Sequence, residues 1–204
     1  YVYSFNTRQA PFDNVNVRQA LSMALNREIL VDKITGQGEP EAYSVTPNNI
    51  PNYQAPTSEF KQLDTNQRLK QAKQLLNNTS ENHKKIALAI ASMWKPLCVK
   101  VELENMEWKA YVAAKSSGDY QLARSWAFGD YPEPSALLEG FTCGHTANES
   151  GYCNPEFDKL MQQASVITQQ DERFKVYQQA EALLNESAAV IPLYHYNVIT
   201  RLSV

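Results

Sequence analysis

Apolar and polar positions alternate over the first residues, with Tyr1, Tyr3 and Phe5 on one side and Val2, Ser4 and Asn6 on the other. This predicts a strand that Pro11 ends. From Asp13 the period lengthens. In "FDNVNVRQALSMALNREILVDKI", Val17, Leu21, Ala24, Leu25 and Ile34 fall on one helical face, with Asp13 as N-cap. Residues 36–60 are rich in Gly, Pro and Asn and carry little periodicity. A connection that long wraps a surface or helps to form a site. Asp64 is placed to cap a helix over 65–77, with Leu69, Ala72, Leu75 and Leu76 inward. Ser80 is placed to cap another over 81–95, burying Ile86, Ile90, Met93 and Trp94 until Pro96 stops it. "CVKVELENM" then alternates at Val99, Val101 and Leu103 as a strand does. A short helix in "EWKAYVAAKSSG" ends at Gly118, and "DYQLARSW" reads as a strand with Tyr120, Leu122, Arg124 and Trp126 on one face. Helices over 155–168 and 171–186 precede a last strand, "AAVIPLYHYNVITRL". Strand–helix–strand alternation of this kind predicts an α/β lobe.

Composition narrows the partners. The 204 residues are 43% apolar and 20% charged, a globular balance, and the net charge of −3 with no basic block does not indicate a nucleic-acid surface. No apolar run approaches the roughly 18 residues of a membrane span. "YVYSFNTRQAPF" lacks the basic-then-apolar order of a signal peptide, as expected of a mature chain without its leader, an excised fragment or a cytosolic chain alike.

Catalytic chemistry finds little footing. None of His83, His145 and His195 sits in a nucleophile motif, and neither a P-loop nor Gly-x-Gly-x-x-Gly is present. His195 reads as a hydrogen-bonded structural histidine on a strand, and His83 as an exposed residue in a first helical turn. A hydrolase built on either is the weakest of the functional readings. Cys143 and Cys153 bracket "CGHTANESGYC", a polar loop for which a disulfide is favoured over free thiols. A metal site with His145 ranks behind both, having too few ligands. Cys98 reads as a small buried residue.

One stretch behaves differently. In "YQLARSWAFGDYPEP", Arg124, Trp126 and Asp130 gather where a strand runs into a proline-bearing turn. Each has a structural reading: Asp130 as a turn cap, Arg124 in a salt bridge to it, Trp126 as core. Together they suit a zwitterion. A carboxylate holds an ammonium, a guanidinium holds a carboxylate through its planar fork, and an aromatic packs the apolar part.

Several ordered blocks resemble the family 5 extracellular solute-binding proteins, the peptide- and nickel-binding partners of ABC importers. They are "PFDNVNVRQALSMALNREILVDKITGQG", "NTSENHKKIALAIASMWK", "VKVELENMEWKAYVAAKSSGDYQLARSWAFGDYPEPSALLEGF", "GYCNPEFDKLMQQA" and "RFKVYQQAEALLNESAAVIPLYHYN". The likeness runs to the oligopeptide-binding branch, including its murein-peptide binders, and covers nearly the whole chain. It implies a type II periplasmic-binding-protein-like α/β lobe, a mixed sheet flanked by helices, with residues 1–204 as the C-terminal lobe of a two-lobe protein. It also implies a monomer in the periplasm of a Gram-negative bacterium, its signal peptide removed, that needs no cofactor and passes short peptides to ABC transporter membrane subunits. In the family's "DY-x-EP" motif the aspartate, here Asp130, receives the peptide's α-ammonium. Arg124 and Lys115 stand where ligand carboxylates are met, and His83 where longer peptides are contacted. Ala127 and Phe128 replace an aromatic–cysteine pair, with Trp126 one position earlier, so the side-chain pocket differs from the family's. The dipeptide-binding branch shares Cys143 and Cys153, which supports the disulfide. Near 76–79 and 95–98 the chain is shorter than the family, implying loss of one strand. The alternative reading is an isolated lobe acting as a non-enzymatic interaction or sensing module.

Overall fold

The computed structural model describes residues 1–75, 90, 92–97, 99–101, 104, 106–125 and 128–196. Three strands form its sheet: β1 (Val2–Phe5), β2 (Leu122–Ser125) and β3 (Val190–Pro192), in the order β2–β1–β3. Both ladders are antiparallel, with Tyr3 opposite Arg124 on one side and opposite Ile191 on the other. All pairing among the described residues is thus antiparallel, where a mixed sheet is expected. Val99 and Val101 are buried as their alternation predicts, yet 99–101 form no strand among the described residues. Residues 102, 103 and 105 lie outside those described, as do 76–89, where one shortened segment falls; of 95–98, only residue 98 does.

The alternation of β1 does not produce an inside and an outside, because all four of its residues are buried. A central strand covered by helices on both faces has no solvent side. Tyr3, Phe5, Ile191 and Leu193 join a core with Leu21, Leu25 and Trp94, whereas Val190 joins Phe157, Phe174, Tyr177 and Leu184. The first core is covered by α1 (Val15–Met23), the helical turn α2 (Arg27–Ile29) and α3 (Thr65–Leu75). Further helices are α4 (Trp108–Ser117), α5 (Ser135–Leu138), α6 (Pro155–Ser165) and α7 (Gln170–Ser187); α6 and α7 pack together over the second core.

The helix expected from Asp13 to Ile34 is divided. Asn14, not Asp13, caps α1 by accepting from the Asn16 N–H, and Asn26 caps α2 by accepting from the Ile29 N–H. Leu30–Thr35 then continues as a π-helix. Its wider turn carries each residue through a smaller angle than an α-helix does, so Ile34 leaves the apolar face and is 41% exposed. Asp64 caps α3 as expected, accepting from the Asn66 and Gln67 N–H groups. Gly118 ends α4 at φ 74°, the left-handed conformation glycine adopts without a Cβ clash.

Buried charge fixes the connections. Arg18 donates to the carbonyls of Phe12 and Ser187, tying α1 to the end of α7. Arg27, 1% exposed, donates to Pro192 O and to both oxygens of Ser22, with its guanidinium 4.6 Å from the Tyr43 ring centroid. Burial lowers its pKa to about 10, which leaves it charged at neutral pH. Glu181 of α7 accepts from Thr46 N and Tyr53 Oη, each at 2.7 Å, and clasps the irregular 40–56 segment. Asn185 and Gln178 hold the same segment at Pro56 O and Gln54 O.

Candidate binding site

At the end of β2, strand alternation points successive side chains to opposite faces. Arg124 is exposed and Ser125 buried. The Arg124 guanidinium lies 5.9 Å from the Tyr1 ring centroid, and its carbonyl accepts a hydrogen bond from Tyr111 Oη. Asp130, in the bend that follows, is exposed and takes no hydrogen bond or ion pair from the described residues. Among those residues, then, neither the Arg124–Asp130 salt bridge nor the Asp130 turn cap forms. Phe128 is 67% exposed.

Beside this bend opens a pocket of about 420 Å³, walled by Tyr1, Tyr194, Tyr196, Phe128, Ser44 and Asn48 among others. Its rings are ordered against one another. Tyr1 and Tyr194 stack at 4.9 Å and 11°, Phe128 and Tyr196 at 6.0 Å and 18°, and Tyr194 meets Tyr196 edge-on at 5.4 Å. Burial first, and neighbouring phenols after it, push the Tyr194 hydroxyl above its ordinary range. For Tyr1, burial outweighs the opposing pull of Arg124. Both are therefore neutral phenols near pH 7, able to donate as well as accept. The pocket presents aromatic faces with hydroxyls at their edges and the Asp130 carboxylate nearby. That arrangement suits an organic ligand with an apolar body and a positive end.

His195 borders the same pocket but is held as a structural residue. Its Nε2 lies 3.2 Å from Ser44 O, its backbone N–H donates to Pro40 O, and burial lowers its pKa. The Ser44 hydroxyl donates to Thr46 O, so the pair is not arranged as base and nucleophile. His83, Trp126 and Ala127 lie outside the described residues.

Lys115 does not converge with Arg124. It sits on α4, 7% exposed, with Nζ 2.5 Å from Glu149 Oε2 and 3.2 Å from Ser125 Oγ, across β2 from the Arg124 side chain. Cys143 and Cys153 form a disulfide with a Cα–Cα distance of 4.6 Å. No metal-binding group of His, Cys, Asp or Glu occurs among the described residues.

Two sets of residues escape the sequence reading. The pocket tyrosines carry a signal in hindsight, since Tyr1 stands at the start of the first strand and "LYHY" places Tyr194 and Tyr196 two apart just past the last. Glu149 carries none, because nothing in the sequence of a polar loop marks that its carboxylate folds back onto α4 rather than into solvent.

A sheet with helices on both faces and an open aromatic pocket at its edge is the build of one lobe of a binding protein. Residues 1–149 match the family model described as bacterial extracellular solute-binding proteins, family 5 Middle, and the chain belongs to that family. It is 38% identical over 213 residues to the periplasmic murein peptide-binding protein MppA of Escherichia coli K12, covering 96% of this chain and 40% of that protein. It is 35% identical over 216 residues to the periplasmic oligopeptide-binding protein OppA of Haemophilus influenzae, with the same coverages. Among solved structures, OppA of Burkholderia pseudomallei superposes with a TM-score of 0.91 at 31% identity, over 96% of this chain and 42% of that one. Haemophilus influenzae OppA in complex with RPPGFSPFR gives 0.89 at 32% identity, over 96% and 44%. The fold is that of a type II periplasmic binding protein in part, for the chain spans about 40% of the length of the curated relatives it matches.

Proposed function

We propose that this chain is the C-terminal lobe of a two-lobe, periplasmic solute-binding protein that takes up short peptides between its lobes and presents them to an ABC importer. The observation that carries this reading is an exposed Asp130 carboxylate, without an ion pair among the described residues and next in sequence to the pocket-lining Gly129, in a chain whose relatives are named for peptide binding. Asp130 receives the peptide's α-ammonium, and Arg124 faces negative groups on the ligand. The rings around Tyr1 and Phe128 pack a side chain, with hydroxyls and bridging waters tolerating variety. Closure of the second lobe is driven by contacts available only in the closed state. The protein acts as a monomer and needs no cofactor.

The test is Asp130→Asn in the complete two-lobe protein, titrated calorimetrically with di- to pentapeptides. Stranding an ammonium in a closed cleft costs about 3 kcal/mol, so affinity should fall by roughly 100-fold. Near-wild-type affinity, or tight binding of N-acetylated peptides, would overturn the assignment.

A further inference from the structure

The bend that carries Asp130 is held at both ends by acidic residues. At its exit, Glu133 Oε1 accepts from Nε and Nη2 of Arg173, whose Nη1 also reaches Ile167 O and Thr168 O beyond α6. Gly129 presses on the same region, since a Cβ there would come within 3.2 Å of the Ala136 Cβ. At its entry the anchor comes from a different loop. Glu149 Oε2 meets Lys115 Nζ at 2.5 Å and accepts from Ser125 Oγ at 3.2 Å, while Lys115 also donates to Ser125 Oγ. The three side chains close a triangle on the last residue of β2. The Glu149 carbonyl accepts from Tyr120 Oη at 2.6 Å, just ahead of β2, and the next carbonyl, Ser150 O, accepts from Thr7 N and Oγ1. One short stretch, closed into a loop by Cys143–Cys153, thus grips both ends of β2 and the exit of β1.

We propose that Glu149 is a positioning residue for the binding edge. Its charge holds Lys115 and Ser125 in place and so sets where β2 delivers Arg124 and Asp130. The proposal rests on the peptide-binding reading and deepens it. The negative charge matters, and not only the hydrogen bond, because the Lys115 side chain is 8% exposed. An ammonium so poorly solvated needs a full counter-charge. With glutamine at position 149 it turns toward water and leaves Ser125, and the strand end loses its fixed register against the loop.

The experiment uses the complete two-lobe protein and tripeptides with a free amino terminus. Binding by the unmodified protein is measured first, and its absence would remove the peptide-binding reading and this one with it. Given binding, Glu149→Gln should weaken affinity about tenfold. It should also raise the rate at which an amine-reactive acetylating reagent labels Lys115, read by mass spectrometry. The charge-swapped pair, Lys115→Glu with Glu149→Lys, should restore most of the affinity, which a loss of packing alone would not allow. Labelling that rises while affinity stays within twofold would overturn positioning while leaving peptide binding intact, and unchanged labelling would overturn the ion pair itself. Should Glu149→Gln not fold, Glu149→Asp, which keeps the charge but retracts it by a methylene, should show an intermediate loss. Wild-type affinity in that variant would overturn the proposal.

Discussion

Two segments that reach the aromatic pocket handle their charged neighbours differently. The 40–56 segment turns several groups inward while Asn48 and Asn49 stay exposed on the pocket: Thr46 and Tyr53 donate to Glu181, Ser44 O meets His195, and the Tyr43 ring packs over Arg27. Every one of these contacts has its partner inside the lobe. The stretch around β2's end differs: Arg124, Phe128 and Asp130 are exposed, and Phe128 and Gly129 line the pocket. A segment with almost no regular structure is therefore tied into the lobe by its buried polar groups, and the strand end leaves its polar groups exposed. The difference shows that buried charges here fix the chain, whereas exposed ones beside a pocket keep their capacity for something that arrives.

That contrast can be broken most forcefully at Arg27. Arg27→Met leaves Pro192 O and both Ser22 oxygens without a charged donor, and should lower the unfolding free energy by roughly 4 kcal/mol in urea denaturation. A loss below about 1 kcal/mol would mean the 40–56 segment is not held from within. Glu181 sharpens the comparison through pH. Burial outweighs the hydrogen bonds it accepts, those of Tyr53 and Thr46 foremost, and raises its pKa from 4.5 to about 7. A carboxyl raised in the folded state binds its proton more tightly there than in the unfolded chain. Its contribution is then fully present below pH 4.5 and is lost as pH rises through about 7. Glu181→Gln should flatten that decline, on the order of 3 kcal/mol, in denaturation curves taken between pH 4.5 and 8. A mutant that declines as steeply as wild type would assign the loss to other groups. The smallest effect belongs to the exposed stretch. Phe128→Ala should leave stability within about 0.5 kcal/mol, because the ring is 67% exposed, yet weaken peptides with a bulky first residue about fivefold by calorimetry. A drop in stability without a drop in affinity would place Phe128 among the groups that hold the lobe together.

The site was legible in the sequence where its residues lie close together in the chain. Arg124, Phe128 and Asp130 stand at one strand end because seven consecutive positions carry them there. The pairing of Cys143 with Cys153 is similarly local. Lys115 was legible as a cation but not as a buried one. Its position across β2 from the Arg124 side chain, against Glu149, depends on how α4 settles on the sheet, and no local pattern carries that.

What the sequence by itself determined was the set of local elements: β1, the N-cap of α3, the stop at Gly118, the helices α6 and α7, and the membership that its ordered blocks imply. These follow from propensity, capping and periodicity, which act over a few residues and survive any tertiary arrangement. What only the tertiary structure decided was where charge is buried and where it is left exposed. Arg18, Arg27 and Glu181 look in sequence like ordinary surface residues, and they are interior because their partners lie at Ser187, Pro192 and Thr46, far along the chain. Desolvation makes such a placement costly unless every partner arrives together, so it is settled by the packed whole.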